Sequence, residues 1–275
     1  MQTKQNSFNL RSFPILTRQK MAAFQHPQKS IASQYVAHQI AEKIREKQRL
    51  NQNCVLGLAT GSSPILVYKE LIRLHHEEGL SFYNVITFNL DEYCDLDKGD
   101  KNSYYYFMNH HLFNHIDIPK ENIHIPAGRL KEEELDPFCQ DYESLIQKYG
   151  GLDIQVLGIG RTGHIGFNEP GSGFDSVTRR VILDELTISD AAKDFGGADN
   201  VPKQAITMGV RTILSAKKIF LMAWGAKKAD ILEESFCRPF SHDVPASFLQ
   251  AHQNVELVLD NDAAFKMQQL SEKIG

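Results

Sequence analysis

Short apolar runs alternate with amphipathic stretches along most of the 275-residue chain. The first stretch of helical period opens at Ser30. In SIASQYVAHQIAEKIREKQ, Ile31, Tyr35, Val36, Ile40 and Ile44 recur near helical spacing with charges between them. CVLGLAT is a short run of strand character, followed by GSSP and then by PILVYKELIRLHHEEG, a helix pattern with Pro64 in its first turn. NVITFNL, LDIQVLGIG, KKIFLMAWG and NVELVLD repeat the strand pattern. SYYYFMNHHLF, FCQDYESLIQKYG and AKKADILEES read as helices between them. Residues 1–29 carry no clear periodicity and read as an N-terminal extension before a single domain, 30–275. Strands alternating with helices predict an α/β fold, a three-layer Rossmann-like sandwich with a mainly parallel central sheet flanked by helices. Runs that are apolar throughout fit strands covered on both faces.

Ligands of such sheets bind beyond the carboxyl ends of the strands. Four strand ends carry candidate chemistry. Thr60-Gly61-Ser62-Ser63, between a strand and a helix, offers backbone N–H groups, hydroxyls and a helix N-terminus to an anion. It lacks the GxxxxGK[ST] spacing of a Walker loop and is equally compatible with an ordinary strand–helix turn. Asp91-Glu92-Tyr93 places two carboxylates at a strand end, suited to a base and a structural partner, or to capping. Adjacent side chains point apart, so the two should have different jobs.

The third, Gly158 to Pro170, is GIGRTGHIGFNEP. Gly158, Gly160 and Gly163 fit a loose GxGxxG, with Asp184 and Glu185 about 20 residues on. The stretch does not open an apolar helix, as a dinucleotide fingerprint must. It reads better as a glycine-rich loop that brings His164 and Glu169 to a small ligand, a histidine to move protons and a carboxylate to orient it. The fourth is Lys228, after Lys227 at a strand–helix junction, a phosphate ligand or a solvated surface lysine. In one parallel sheet the four would share an edge, which points to a small phosphorylated substrate, acid–base chemistry and no nucleotide cofactor.

Composition narrows the picture further. The chain is 42% hydrophobic, enough for a sizeable core, and its net charge of −4 lacks the basic footprint of a nucleic-acid binder. No apolar run approaches the ~20 residues of a membrane span. The first residues lack the apolar core of a signal peptide, so a cytoplasmic location is expected. Cys54, Cys94, Cys139 and Cys237 show no CxxC pairing, which fits reduced thiols and neither a zinc ribbon nor a disulfide framework.

LATGSSP, TFNLDEY, GIGRTGHIGFNEPGS, VPKQAITMGVRTIL and GAKKA, in this order, resemble the glucosamine-6-phosphate deaminase (isomerase) family from about residue 30 to 265. The resemblance implies conversion of D-glucosamine 6-phosphate and water to D-fructose 6-phosphate and ammonia, in amino-sugar catabolism, with no metal or organic cofactor. It implies that His164, assisted by Glu169, opens the pyranose ring. Asp91 would take the C2 proton and return it at C1. Thr60, Gly61, Ser62, Ser63 and Lys228 would hold the phosphate, with Lys193 where the family usually has a phosphate-binding arginine. The segment Thr187–Val201, with Gly196-Gly197, is the candidate lid.

Three departures stand out. Thr162 occupies the position of the family's ring-opening Asp or Asn. Arg211 replaces a residue that is commonly glycine, and could meet substrate or a neighbouring loop. Arg179 is retained from the family's allosteric site, but Val181 stands where a lysine is expected and the final LSEKIG has no tyrosine. No activation by N-acetylglucosamine 6-phosphate is therefore expected. A galactosamine-6-phosphate deaminase, a 6-phosphogluconolactonase-like hydrolase and a non-catalytic sugar-phosphate sensor are the alternatives. The expected partner is a small phosphorylated amino sugar, with no nucleic acid and no membrane. A homo-oligomer stays open.

Overall fold

The computed structural model describes residues 8, 10–14 and 21–274. In chain order the first strands are β1 (Arg11–Pro14), β2 (Ala22–Gln25), β3 (Cys54–Leu58), β4 (Val85–Asn89), β5 (Asp91–Tyr93) and β6 (Ile123–His124). They are followed by β7 (Ile154–Leu157), β8 (Arg179–Ile182), β9 (Gln204–Thr207), β10 (Ile219–Ala223) and β11 (Val255–Leu259). The helices are α1 (Lys29–Arg49), α2 (Ile65–Glu78), α3 (Tyr104–His111), α4 (Glu132–Lys148), α5 (Glu185–Ala191), α6 (Val210–Leu214), α7 (Ala229–Cys237) and α8 (Asn261–Ile274).

The main sheet has the order β1-β2-β11-β10-β7-β3-β4-β6. Every neighbouring pair in it is parallel except β1 with β2. Strands β3, β4, β7 and β10 are buried at every position, in keeping with their mostly apolar sequences; Thr87, Asn89 and Gln155 are the buried polar residues among them. Alternate residues feed two cores. Val55, Ile86, Phe88 and Leu221 pack with α4, α7 and α8 on one face. Leu56, Leu58, Val85 and Phe220 pack with α1 and α2 on the other. Each fully buried Leu, Ile or Phe contributes about 1.5–3 kcal/mol. The mainly parallel sheet with helices on both faces is the architecture that the strand–helix alternation predicts. Among the described residues, no helix is long and apolar enough to cross a membrane.

Two boundaries differ from the sequence reading. Of the stretch 1–29, residues 1–7, 9 and 15–20 lie outside the described residues. The rest is no mere extension: β2 pairs with β11 through Glu256↔Ala22 to Leu259↔Gln25, and β1 pairs with β2 at the sheet edge. Four-residue strands are too short to show a period. Helix α4 starts at Glu132, ahead of the FCQ at which its pattern became readable, because Pro137 lies inside it. Glu134 closes its first turn by accepting from the Lys131 amide at 2.8 Å, and Glu132 and Glu133 add favourable charge there.

A second sheet, β5-β9-β8, is antiparallel. The chain passes from β4 through Leu90 directly into β5, so Asp91 stands at the carboxyl end of a central strand and is also paired with Thr207.

Candidate active site

A cleft of about 250 Å³ opens over the carboxyl ends of β3, β4, β7 and β10. One wall is Thr60, Gly61, Ser62 and Ser63, between β3 and α2. Gly61 takes φ +89°, a left-handed conformation that glycine adopts without strain. Lys228 completes this end, its Nζ donating to the Ile159 carbonyl at 2.7 Å. Burial lowers the Lys228 pKa. A half-buried ammonium above small hydroxylated residues and a helix N-terminus is an anion cradle. Lys227 is exposed beside it.

Asp91 and Glu92 part company as adjacent strand residues should. Asp91 faces the cleft and is only 5% exposed. Burial, with the Glu92 charge adding to it, pushes its carboxyl well above the ordinary range. Glu92 turns away and accepts the amides of Tyr104 (2.9 Å), Tyr105 (2.8 Å) and Tyr93 (2.9 Å), holding the start of α3. That brings Tyr104 into the cleft wall, stacked against Phe167 with ring centroids 5.9 Å apart. Sequence reasoning missed Tyr104, because its three-tyrosine run reads only as helix.

The loop after β7 supplies the opposite wall. His164 Nδ1 lies 3.0 Å from Glu169 Oε2. Burial works to raise the Glu169 pKa, but the hydrogen bond and charge of His164, with the hydroxyls of Thr187 and Thr162, hold it below the ordinary value. An ionised carboxylate only accepts, so this hydrogen bond needs its proton on Nδ1, the tautomer that leaves Nε2 as the ring's acceptor. Thr162 Oγ1 sits 3.0 Å from Nδ1 and donates to Glu169 Oε2 at 3.1 Å. Thr187 Oγ1 donates to the other oxygen, Oε1. Gly166, at φ +58°, lets the loop lie against Asp91: a Cβ there would fall 2.9 Å from Thr207 Oγ1 and 3.2 Å from Asp91 Oδ2. Asn168 clamps the loop from behind, donating to the Ile165 and Met208 carbonyls and accepting from Arg179.

The structure therefore brings Asp91, His164, Glu169, Thr162, Thr60, Gly61, Ser62, Ser63 and Lys228 together around one cleft. Lys193 is not brought there. It is exposed on the turn after α5 and is not among the lining residues. Arg211 is exposed on α6 and borders a different hollow, with Glu143 and Gln147. The loose GxGxxG does not open a helix: Gly160 accommodates the His164 ring, and the next helix is α5 at Glu185. Asp184 caps α5 through the Leu186 amide at 2.8 Å. The candidate lid, Thr187–Val201, comprises most of α5, a turn with Gly196 at φ +71° and Gly197 at φ +148°, and the short helix Ala198–Asn200. Phe195 packs on Tyr93, centroids 5.3 Å apart.

The chain is 50% identical over 233 residues to a glucosamine-6-phosphate deaminase of Oceanobacillus iheyensis, covering 85% of this chain and 89% of that protein. It is 47% identical over 233 residues to a glucosamine-6-phosphate deaminase-like protein of Bacteroides thetaiotaomicron, of which it spans only 35% of the length. A solved structure of a monomeric glucosamine-6-phosphate deaminase superposes with a TM-score of 0.84 at 44% identity, over 90% of this chain and 99% of that one. The family described as glucosamine-6-phosphate isomerases/6-phosphogluconolactonase matches residues 27–259, and the chain belongs to that family.

Proposed function

We propose that this protein is a glucosamine-6-phosphate deaminase, converting D-glucosamine 6-phosphate and water to D-fructose 6-phosphate and ammonia. The observation that carries the reading is one cleft holding a buried, strongly basic Asp91, an oriented His164–Glu169 pair and an anion cradle. The phosphate binds Thr60 to Ser63 and Lys228. Nε2 of His164 takes the proton of the C1 hydroxyl and delivers it to the ring oxygen as the bond between C1 and that oxygen breaks, and Glu169 stabilises the transient imidazolium. Asp91 removes the C2 proton to give an enol-type intermediate and returns it at C1. Protonation at C1 leaves an imine at C2; water adds to that carbon and ammonia departs, leaving the C2 carbonyl. A lactone hydrolase needs no base for a C–H bond, so the buried Asp91 favours the deaminase over that branch of the family.

Arg179 is engaged by Asn168 at 2.9 Å and Ser172 at 3.2 Å, and Val181 lies two residues on. Both features support catalysis without activation by N-acetylglucosamine 6-phosphate. The four cysteines are free thiols, which supports a reducing, cytoplasmic setting.

The test is ammonia release from glucosamine 6-phosphate and galactosamine 6-phosphate, by wild type and Asp91→Asn. The expected result is turnover of the gluco epimer, lost by at least about a thousandfold in Asp91→Asn. Release from neither sugar would sink the deaminase reading. Preference for the galacto epimer would change the substrate, and full activity in Asp91→Asn would remove the base.

A further inference from the structure

We propose that Thr187 is a positioning residue for the His164–Glu169 pair, acting from α5 on a carboxylate of the neighbouring loop. The proposal rests on the role given to His164 above. Thr187 is the third residue of α5 and only 8% exposed. Its hydroxyl donates to Glu169 Oε1 and lies 3.4 Å from His164 Nδ1. The other oxygen, Oε2, receives His164 and Thr162. Among the described residues Thr187 is the hydrogen-bond donor found at Oε1. Glu169 is itself 8% exposed, so losing that donor leaves half of a buried carboxylate unmatched. The carboxylate would then rotate toward another donor or take up a proton. Either change loosens the bond that fixes the proton on Nδ1 and leaves Nε2 as the base.

The rest of α5 is fastened to hold this hydroxyl in place. Asp184 caps its first turn, and Leu183 donates to the Lys203 carbonyl at 2.9 Å just before it. Ile188 packs against the cluster of Tyr93, Phe167 and Leu183. At the far end Asp190 meets Arg161, of the same loop as His164, at 2.7 Å. That ion pair is half exposed on both sides, at 55% and 45%, and is screened. The buried hydroxyl, not the surface pair, is therefore the contact that carries orientation from α5 to the imidazole.

The experiment compares wild type, Thr187→Val, Thr187→Ser and Asp190→Asn by steady-state ammonia release and by the ¹⁵N shifts of the His164 imidazole in the free protein. Melting curves of each variant establish folding. Thr187→Val should lower kcat about 10- to 100-fold with KM within about threefold, because the loss falls on the chemical step. Its ¹⁵N shifts should move from a single Nδ1–H tautomer toward a mixture. Thr187→Ser, which keeps the donor, should return both readouts to near wild type, and Asp190→Asn should leave kcat within about threefold. A Val variant with wild-type kcat and unchanged ¹⁵N shifts overturns the proposal, as does a Ser variant that rescues neither. If the wild type releases no ammonia, the deaminase reading fails. The ¹⁵N comparison, which needs no substrate, still decides whether Thr187 sets the tautomer.

Discussion

Gly160 lies directly against the imidazole of His164: a Cβ placed at Gly160 would fall 2.0 Å from Nε2 and 2.1 Å from Cε1. The glycine is required by close approach, not by backbone angle, since Gly160 is not among the positive-φ glycines. Its amide also donates to the His164 carbonyl at 2.9 Å, so ring and backbone are fixed from the same side. Gly160→Ala should therefore turn the ring out of the cleft. Misplacing a catalytic group by about 1 Å costs on the order of 100-fold, and that loss is expected in kcat. Melting temperature should change little, because the displaced ring borders open cleft. Wild-type turnover in Gly160→Ala would show that His164 does not act from this position.

Asp91 ties activity and stability to pH in opposite senses. Its folded pKa is raised by burial, with the Glu92 charge adding. The folded chain thus holds this proton more tightly than the unfolded chain. The stability it contributes is complete below the ordinary aspartate value, ~3.9, and is lost as pH rises through the raised folded value. Asp91→Asn removes the ionisation, so it should melt above wild type at about pH 8, with the gap closing as pH falls toward about 4. In the proposed reaction Asp91 acts as a base and so must be ionised. The acid limb of the wild-type kcat/KM profile should lie above the usual carboxylate range. Parallel melting of the two proteins across this interval, or an acid limb near pH 4, would contradict the burial argument.

What could be read from the chain, and what could not, follows from where each signal resides. Strands such as β3 and β10 were legible because both faces are buried and every residue is apolar. The residues brought to the cleft, Thr60 to Ser63, Asp91, His164 and Glu169, could be picked out because each lies in the segment between a buried strand and the next helix. β8, running Arg-Arg-Val-Ile with Arg180 and Ile182 exposed, has no pattern that burial would impose. β1 and β2 are four residues each. Thr187 and Tyr104 meet the site only through the tertiary fold, one from a short helix after β8 and the other through the amides that Glu92 holds. Lys193 was placed by order along the chain through the family resemblance, and in this structure the path of the chain after α5 leaves it exposed to solvent.

Thr162 sets a neutral hydroxyl against the His164–Glu169 pair, where the family resemblance expects an acid. Its Oγ1 donates to Glu169 Oε2 at 3.1 Å and lies 3.0 Å from His164 Nδ1. Thr162→Val removes that donor and should lower kcat about tenfold. Thr162→Asp, which restores the family residue, brings a second negative charge against Glu169 and takes away a donor. Like charges this close disfavour ionisation of both. The Asp variant is expected to be no faster than wild type on glucosamine 6-phosphate. A clear rate increase would mean that ring opening in this protein is limited by the absent carboxylate.

The two lysines assigned to the phosphate by resemblance separate in the structure, and kinetics should separate them too. Lys228 lines the cleft with its Nζ held at 2.7 Å by the Ile159 carbonyl, beside Thr60 to Ser63. One of its three donors is used there, leaving two to meet an anion. Lys228→Met keeps the apolar stem and removes the charge. A charge-assisted contact is worth about 1.5–3 kcal/mol, so KM should rise about 10- to 100-fold while kcat falls less. Lys193→Met should leave KM within about threefold, because that side chain is in solvent and outside the lining. Measuring KM for both variants on the same substrate, with inorganic phosphate as a competitive probe, isolates the phosphate contribution. A large KM effect at Lys193 would show that the Thr187–Val201 segment moves on binding to carry its lysine in. Unchanged KM at Lys228 would move the phosphate away from this end of the cleft.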